Sequence, residues 1–465
     1  MHEFHCKPIP KCPSWDPIFG IDFFVKRIRA VRSHSWLRFT SDFFASIGVN
    51  TCEVNILGKK VIFTIEPDNL KSIHLDNFKS WGLSPNRKAR VVPLIGHGVF
   101  TNDGHEWRVS RKLLRPSFEQ SQFENIQFLE RQTQQFFDAI PKSGEVVDLQ
   151  PLFYTFSLNT AADFLLGDIH GAASTFGPQF EESFSRCLGK ISGAGKFHVS
   201  RTKLEREFER DVKVVHDATD FRIEQAFEKR KTDSTPLASE KLFLNHLMDA
   251  TDDLARIRSE ILNNLMAGRD TTASMLSNAF SEIAKNPKIW KRLREEVCKL
   301  DGKPPTREQT LDMPYTRAVF LESMRMYPQV PENGRIALHD TILPLGGGED
   351  GKSPVFVPKG QLVLWSSYAL HRRKDIYSED CNEFKPERWL PQKDQEPLKP
   401  GWAYLNFGAG PRLCLGQNFA MMQATYLCTR IAQTFPCLES ADPEGWVECL
   451  ALVCTGLNGC KVRLH

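Results

Sequence analysis

The segment Phe407–Gly416, with the sequence FGAGPRLCLG, constrains the fold of this chain more than any other part of it. Its glycines and Pro411 favour a tight, irregular turn around one cysteine, Cys414. Apolar residues at helical spacing predict a helix over Gln417–Arg430. Cys414 therefore precedes a helix N-terminus, where free N–H groups and the helix dipole favour a thiolate over a thiol. A thiolate held on a rigid loop is a candidate axial ligand for haem iron.

An unusually long helix is predicted over Asp252–Ala284, and its centre is locally unsuited to a helix. The segment Ala267–Thr272, AGRDTT, contains a glycine, an aspartate and two threonines, which are weaker helix formers than alanine. Such a conflict is expected at a functional site, and an incidental kink is the alternative interpretation. In the functional interpretation the small residues let a flat cofactor approach the helix, Thr271 hydrogen-bonds to bound dioxygen, and Asp270 relays protons from solvent.

A third motif pairs opposite charges on a short helix predicted over Tyr315–Met326. Glu322 and Arg325 are three residues apart, so they share a face of that helix. Their apolar neighbours indicate that the pair is partly buried, and a buried pair persists only when further hydrogen bonds satisfy it. Arg388, in the segment FKPERW, is the predicted third partner. Taken alone, the ExxR pattern is weak evidence for any function.

The remaining pattern is helical up to about residue 300 and then mixed, and it predicts one large, mostly helical domain. The segment 81–104 is predicted to be a long loop, of the kind that is often functional. Trp107 and Arg111 lie one turn apart on the helix that follows. The other predicted elements are a hairpin over 50–66, helices over 67–80 and 104–119, polar breaks at 190–200 and 229–240, and strands near 336–343, 354–357 and 361–365.

Composition excludes several classes of protein. The formal net charge is only +3 and the basic residues are spread along the chain, so nucleic-acid binding is not expected. The 12 cysteines are scattered without a CxxC pair, which favours reduced thiols. No run of 18 apolar residues occurs, so no transmembrane helix is expected. The apolar segment Ile18–Val25, next to basic residues, either dips into a membrane surface or packs on the protein body.

Five motifs follow one another in a fixed order, and together they carry a resemblance. They are WxxxR at 107–111, AGxDTT at 267–272, ExxR at 322–325, PERW at 386–389 and FxxGxRxCxG at 407–416. Over nearly its whole length the chain thereby resembles the cytochrome P-450 monooxygenases. Within that family it is most similar to the fungal alkane and fatty-acid hydroxylases, through AGRDTTA at 267–273, ESMRMYPQVPENGR at 322–335, DTILPLGGGEDGKSP at 340–354 and HRRKDIYSEDCNEFKPERW at 371–389.

The resemblance implies a mainly α fold with a minor β part, as a single domain over residues 1–465. Residues 1–48 would then be an N-terminal segment that faces a membrane. Haem b (iron protoporphyrin IX) would lie between the long helix and the cysteine loop, with Cys414 as axial ligand. The implied roles of the other residues are as follows: Phe407 packs beside the sulfur; Trp107, Arg111, Arg335 and Arg412, joined by His105, bind the propionates; Glu322, Arg325 and Arg388 form a structural triad; Asp270 and Thr271 are the catalytic acid–alcohol pair.

The implied reaction is hydroxylation of an unactivated C–H bond with O2. Because the chain contains no flavin or nicotinamide motif, electrons would come from an NADPH–cytochrome P-450 reductase, with basic residues near Arg412 and Arg430 as candidate docking charges. The expected substrate is a fatty acid or alkane; tailoring of a fungal secondary metabolite is the alternative, and a haem-thiolate sensor or electron carrier is a non-enzymatic one. The predicted pocket lining is apolar: Val99, Phe100, Leu262, Met266, Val330 and Leu457.

Localisation follows from the same resemblance. Members of this branch usually carry an N-terminal membrane anchor, and this chain begins where that anchor would end. Either the protein lies at the cytoplasmic face of the endoplasmic reticulum, with peripheral membrane contact, or it is cytoplasmic.

Overall fold

The structure is a computed structural model that describes residues 5–119, 126–141, 144–167, 176–192, 201–232, 243–393 and 396–465. Within these ranges the fold is mainly helical with several small sheets, which confirms the predicted fold class. Most of the two predicted polar breaks, at 190–200 and 229–240, lies outside the described residues.

The helices account for most of the described residues. In chain order they are α1 Ile21–Arg32, α2 Trp36–Ile47, α3 Pro67–Lys71, α4 Pro85–Ile95, α5 Gly104–Leu114, α6 Gln127–Asp138, α7 Leu149–Leu166, α8 Pro178–Ile191, α9 Arg201–Thr232, α10 Phe243–Ala250, α11 Leu254–Ile283, α12 Pro287–Val297, α13 Arg307–Leu311, α14 Pro314–Met326, α15 Ser367–Leu370, α16 Lys374–Tyr377 and α17 Gln417–Thr434.

The strands are short and form small sheets at the periphery of the helices. They are β1 Thr51–Ile56, β2 Lys59–Thr64, β3 Trp81–Gly82, β4 Val146–Asp148, β5 Glu332–Ala337, β6 Thr341–Gly347, β7 Ser353–Val357, β8 Leu362–Ser366, β9 Leu438–Ser440, β10 Glu448–Leu450, β11 Cys454–Gly456 and β12 Lys461–Leu464.

The largest described sheet has the order β1-β2-β8-β5-β3, and it joins strands from residues 51–82 with strands from residues 332–366. Strands β1 and β2 form the predicted hairpin, with Thr51 opposite Thr64, and its turn is at Leu57 and Gly58 rather than at 58–60. Strand β2 runs parallel to β8, which follows it by about 300 residues, and β5 pairs antiparallel with β8. This sheet places Arg335 of β5 next to the N-terminal third of the chain.

The predicted loop over 81–104 is wrong for its central part, which forms helix α4. The Ser84 side chain accepts a hydrogen bond from the Arg87 N–H, and Pro85 occupies the first turn, so the helix begins with a regular cap. Pro93 and the glycines after it are typical of a loop, and for that reason the sequence does not indicate a helix here. The helix nevertheless buries an apolar face, formed by Val91, Leu94 and Ile95. Only residues 96–103 remain as a loop.

Helix α11 is continuous through its unfavourable centre, so the structure contains no break at AGRDTT. The Thr271 hydroxyl donates to the Ala267 carbonyl at 2.6 Å, one turn back along the helix. A Cβ added to Gly268 would lie 3.1 Å from Ala161 Cβ of α7. This glycine therefore allows close packing of α11 on α7, a role that the sequence analysis did not assign to it.

Buried apolar residues of α11 contribute to two core clusters. Towards its C-terminal end, Leu276 and Phe280 belong to a cluster that includes residues of α7, α14 and α17. Towards its N-terminal end, Ile261 and Leu265 belong to a cluster that includes residues of α4, α7 and α8. The centre of α11 therefore lies between two packed regions. None of the described helices is long and apolar enough to cross a membrane.

Candidate active site

The cysteine loop is held in one conformation by two glycines and two backbone contacts. Gly408 and Gly410 have φ values of 70° and 61°, a region that favours glycine. A side chain at Gly410 would overlap the carbonyl group of His74, so the loop packs directly on the turn after α3. The Cys414 N–H donates to the Phe407 carbonyl at 2.9 Å, which closes the turn.

The Cys414 thiol is exposed, and yet surrounding protein atoms raise its pKa through burial. Both observations fit a side chain that faces an internal cleft. A hydrogen bond from the Gly416 N–H and the charge of Arg111 lower the pKa, which is the direction predicted for a helix N-terminus. Burial is the larger effect, so the helix terminus alone does not produce a thiolate. A coordinated metal ion does so outright.

Arginines that are buried or partly buried converge beside this loop, near the carboxylate of Asp103. Arg412 donates to Asp103 Oδ1 at 2.7 Å and to the Asn102 carbonyl at 3.0 Å. Lys88 Nζ lies 2.8 Å from Asp103 Oδ2. Arg87 of α4 and Arg335 of β5 both donate to the side-chain oxygen of Asn333, at 3.0 and 3.4 Å.

These cations repel one another. Burial, then Arg87 and Arg412, lowers the pKa of Arg335 to about 9. Burial also lowers the pKa of Arg412 to about 10, with Arg87 and Arg111 acting in the same direction against Asp103. The cluster therefore carries excess positive charge in a place of low dielectric, and an anionic ligand is the natural complement.

Two neutral donors complete this surface. His74 Nε2 and Trp81 Nε1 are buried and have no hydrogen-bond partner among the described residues. Burial, then Arg335 and Arg412, lowers the pKa of His74 to about 3, so its ring is neutral at physiological pH. Excess cations, unpaired donors and a cysteine in a cleft are the donor set that fits a haem, with its iron and two carboxylates.

The predicted pair Trp107 and Arg111 joins the cluster. The Arg111 guanidinium carbon lies 5.8 Å from the Trp107 ring centroid, and that of Arg412 lies 4.6 Å from the same centroid. His105 does not join them, because its side chain is exposed and contacts Glu106 at 3.1 Å. The sequence analysis did not predict Arg87 as a site residue, because it lies in the segment predicted to be a loop.

The predicted catalytic pair lies at the centre of α11, in two different environments. Asp270 is buried and accepts a hydrogen bond from Arg269 Nη1 at 2.6 Å. Burial raises the pKa of Asp270 and outweighs the lowering effect of Arg269. Thr271 is only partly buried, as are Ala267 and Gly268 on the same stretch of helix. A carboxyl with a raised pKa and a hydroxyl thus occupy consecutive positions of the helix, and the carboxyl is already paired with Arg269.

The structure brings together the three residues of the predicted triad. Glu322 accepts two hydrogen bonds from Arg325 at 2.8 Å and one from Arg388 at 2.9 Å. The indole of Trp389 and the Lys385 N–H also donate to Glu322, each at 2.9 Å. Arg388 also lies 3.3 Å from a second carboxylate, Asp380, so each arginine of the network has an opposite charge beside it, which is the condition for a buried ion pair to persist.

A buried histidine connects this triad to the cysteine loop, and the sequence analysis missed it. His371 Nδ1 donates to the Arg325 carbonyl at 3.2 Å, and its Nε2 accepts from the Leu405 N–H at 3.3 Å. The Leu405 carbonyl in turn accepts from the Gly408 N–H at 2.9 Å. The histidine belongs to the quoted segment HRRKDIYSED, but nothing in its spacing indicates this contact.

The predicted pocket residues divide into two groups. Leu262 and Met266 are buried on α11, and Val99 and Phe100 are partly buried against the same core cluster. Asn263 holds this part of the loop, since its side-chain oxygen accepts from the Phe100 N–H at 3.2 Å. Val330 and Leu457 are exposed, and they do not belong to that cluster.

Comparisons with known proteins agree with this geometry. A family model described as cytochrome P450 matches residues 10–445. The cytochrome P450 monooxygenase himC of Aspergillus japonicus is 39% identical, with 99% of this chain and 84% of himC aligned. Cytochrome P450 52A13 of Debaryomyces hansenii is 36% identical, with 91% of this chain and 85% of that protein aligned. Among solved structures, the haem domain of cytochrome P450DA matches with a TM-score of 0.82 at 19% identity, covering 99% of this chain and 98% of that one.

Proposed function

This chain belongs to the cytochrome P450 family, and from that membership we propose roles for its residues and a class of substrate. It is a monooxygenase that uses haem with a cysteine thiolate ligand, O2 and electrons from a redox partner. When bound, the haem supplies the activation of O2 and the transfer of one oxygen atom to a C–H bond. An enzyme of this class is not a sensor or electron carrier.

We assign Cys414 as the iron ligand and Phe407 as its neighbour on the loop. Arg87, Arg111, Arg335 and Arg412, with Trp107, would hold the haem carboxylates. Support comes from the pKa values of Arg335 and Arg412, which are lowered first by burial and then by neighbouring arginines, against a single opposing carboxylate, Asp103. Glu322, Arg325 and Arg388 would keep the cysteine loop in register through His371.

Asp270 and Thr271 are proposed to deliver protons to the pocket. The Thr271 hydroxyl is held by Ala267, so its oxygen is positioned to exchange a hydrogen bond with a ligand that approaches the helix. Asp270 has a raised pKa, so it exchanges protons at higher pH than an exposed aspartate. Substituting Thr271→Ala is expected to divert reduced oxygen to peroxide. Unchanged coupling of NADPH consumption to product would remove Thr271 from this role.

The proposed substrate is an extended aliphatic chain, a fatty acid or an alkane, hydroxylated at or near its terminus. The observation that supports it is the apolar surface of Val99 and Phe100, which are only partly buried against the core cluster of α4, α8 and α11. Such a surface gains free energy by burying CH2 groups, at about 0.8 kcal/mol for each. Affinity should therefore rise steadily with chain length.

The test is a spectral titration of the haem-loaded protein with fatty acids and alkanes of graded length. We expect a substrate-type Soret shift whose midpoint falls as the chain lengthens, and a hydroxylated product when reductase and NADPH are added. Cys414→Ala should lose the Soret band typical of the reduced carbon monoxide complex. Binding that is indifferent to chain length would contradict the proposed substrate while leaving the haem-thiolate assignment intact.

A second candidate is oxidation of a fungal secondary metabolite. The himC protein and the monooxygenase fsdH of Fusarium heterosporum align with 99% of this chain, at 39% and 37% identity. The corresponding values for cytochrome P450 52A13 are 91% and 36%, so the similarity to the first two is slightly greater. A Soret shift with polycyclic fungal metabolites, but with no aliphatic chain, would favour this candidate.

The proposed electron donor is an NADPH–cytochrome P450 reductase, which docks on the exposed side of α5. Arg108, Lys112 and Arg115 are exposed and lie at helical spacing on one face. The two arginines named as reference points for docking charges are turned inward: Arg412 binds Asp103, and Arg430 binds Glu130 at 3.0 Å. Lys112→Glu is expected to slow reduction by the reductase without changing reduction by dithionite.

Residues 1–48 are proposed to face the cytoplasmic surface of the endoplasmic reticulum. Large apolar side chains are exposed before and within α1, among them Trp15 at 76% and Ile18 at 70%, and Phe19 lies near them. Lys59 and Lys60 follow the adjacent hairpin turn, whose Gly58 N–H donates to the Phe19 carbonyl. Co-sedimentation with vesicles should fall in a Trp15→Ser, Ile18→Ser variant.

A further inference from the structure

Arg269, the variable residue of the AGxDTT motif, bridges two helices through its guanidinium group. Its Nη1 donates to Asp270 on α11, and its Nη2 donates to Ser185 Oγ on α8, each at 2.6 Å. The side chains of Arg269 and Asp270 are both only 7% exposed. Arg269 Nε is buried without a hydrogen-bond partner among the described residues. Within the described residues, the two Nη contacts are therefore the hydrogen bonds that fix this buried cation.

Aromatic rings on two helices confine the same guanidinium. Its central carbon lies 4.8 Å from the Tyr154 ring centroid of α7 and 6.0 Å from that of Phe184 of α8. The charged or titratable groups around Asp270 are Arg269 on its own helix and Tyr154 on α7, with Cys449 of β10 acting on Tyr154. Within this set Arg269 is the cation that stabilises the Asp270 carboxylate.

Helix α8 lies over the apolar surface proposed for the substrate. Phe180, Phe184 and Leu188 of α8 share a core cluster with residues of α4 and α11. A shift of α8 to admit a bulky molecule would move Ser185, because Ser185 lies on the same stretch of helix as Phe184 and Leu188. That movement loosens the guanidinium that is hydrogen-bonded to Asp270.

We propose that Arg269 is a latch that couples proton exchange by Asp270 to the position of α8. With α8 in place, Arg269 is held against Asp270 and keeps the carboxyl ionised and engaged. With α8 displaced, the guanidinium is freed, and Asp270 takes up a proton from water and passes it on, so that the carboxylate is regenerated. Arg269 is a positioning residue in this scheme, and the scheme rests on the proposed role of Asp270 in proton delivery.

The first test is a double-mutant cycle on the mobility of α8, measured by amide hydrogen exchange of the haem-loaded full chain. Ser185→Ala removes the hydrogen bond to α8, and Asp270→Asn removes the negative charge that holds Arg269; each should speed exchange in α8 about tenfold, the effect of one charge-assisted hydrogen bond. In the double variant the two factors should not multiply, because both act through Arg269. Multiplication of the two factors would overturn the latch.

Ser183→Ala is the matched control, since Ser183 is also on α8 but donates to Asp211 of α9 at 3.4 Å. Its effect on exchange should multiply with that of Asp270→Asn. Ser185→Thr keeps the hydroxyl and should retain the slow exchange of the unmodified chain. A Thr variant that behaves like Ser185→Ala would show that packing, and not the hydrogen bond to Arg269, is responsible.

The second test uses the reciprocity of coupling between sites. The infrared carbonyl band of protonated Asp270, identified by its loss in Asp270→Asn, gives the protonation midpoint. Ser185→Ala should raise this midpoint by about one pH unit, the same tenfold factor, although the Ser185 hydrogen bond goes to Arg269. An unchanged midpoint would contradict the latch. Neither readout requires turnover, so failure of the proposed reaction would be seen separately, as an absence of oxidised product.

Discussion

At the scale of single residues, Arg87 offers a test of the cation cluster. Arg87→Gln keeps a donor for Asn333 but removes one positive charge from the proposed haem-carboxylate site, so we expect faster loss of haem, by about tenfold for one charge-assisted interaction. The measurement is the rate of haem transfer to an excess of apomyoglobin. Arg90→Gln is the matched control, because Arg90 is exposed on the same helix. Equal rates for both variants would exclude Arg87 from the site.

Contacts at the site could be predicted where one short motif contains both partners. Trp107 with Arg111, and Glu322 with Arg325, are three or four residues apart, each pair on one helix, and the structure shows their contacts. Arg87 and His371 could not be found in this way. Their partners, Asn333 and Leu405, come from strands and loops that are distant in sequence.

At the scale of elements, helical periodicity located the long helices well and failed where glycine and proline interrupt the pattern. Helix α4 was missed because Pro93 and the following glycines are typical of a loop, whereas its Ser84 cap and buried face stabilise a helix. Helix α11 shows the opposite case. The residues at its centre have low helix propensity. The helix is nevertheless maintained by the packing of Gly268 on Ala161 and by the core clusters at its two ends.

Two glycines inside helices provide a matched comparison of this packing. Gly189→Ala, on α8, adds a Cβ that meets no atom within 4 Å, so the gain in helix propensity should stabilise the protein by about 0.5–1 kcal/mol. Gly268→Ala gains the same propensity but presses on Ala161, and overpacking costs about 1–3 kcal/mol. We expect it to lower the free energy of unfolding in chemical denaturation. A stabilising Gly268→Ala would show that α7 and α11 separate easily.

At the scale of the whole molecule, the fold class could be predicted from five motifs in a fixed order, whereas the pairing of the strands could not. The parallel pairing of β2 with β8 joins segments about 300 residues apart, and no local pattern indicates it. The same holds for Glu448 of β10, whose carboxylate accepts from the Leu37 N–H at 2.9 Å and so caps α2 near the other end of the chain. Such long-range contacts become visible only in the folded chain.

The buried, neutral His371 should make the free energy of unfolding depend on pH. Burial, then Arg325, lowers the pKa of His371 to about 3, whereas a histidine in an unfolded chain titrates near pH 6.5. Between these values the unfolded chain binds a proton that the folded site excludes. The contribution of His371 is therefore complete above about pH 6.5 and is lost as the pH falls towards 3.

His371→Gln removes this titration and retains hydrogen-bonding groups. Its free energy of unfolding, measured by chemical denaturation between pH 4 and 7, should depend less steeply on pH than that of the unmodified chain. The same substitution at His105, which is exposed, controls for the loss of a histidine as such. Parallel pH curves for His371→Gln and the unmodified chain would contradict a neutral, buried His371.

The arginine cluster around Asp103 has a consequence for how the protein matures in a cell. Its cations come from α4, α5, β5 and the cysteine loop, and burial together with mutual repulsion lowers the pKa of Arg335 and Arg412, so a bound dianion should favour the packing of these elements. Bound haem would then stabilise the assembled fold as well as supply the oxidative chemistry. The yield of mature protein should follow the supply of haem precursors more closely than the rate of translation.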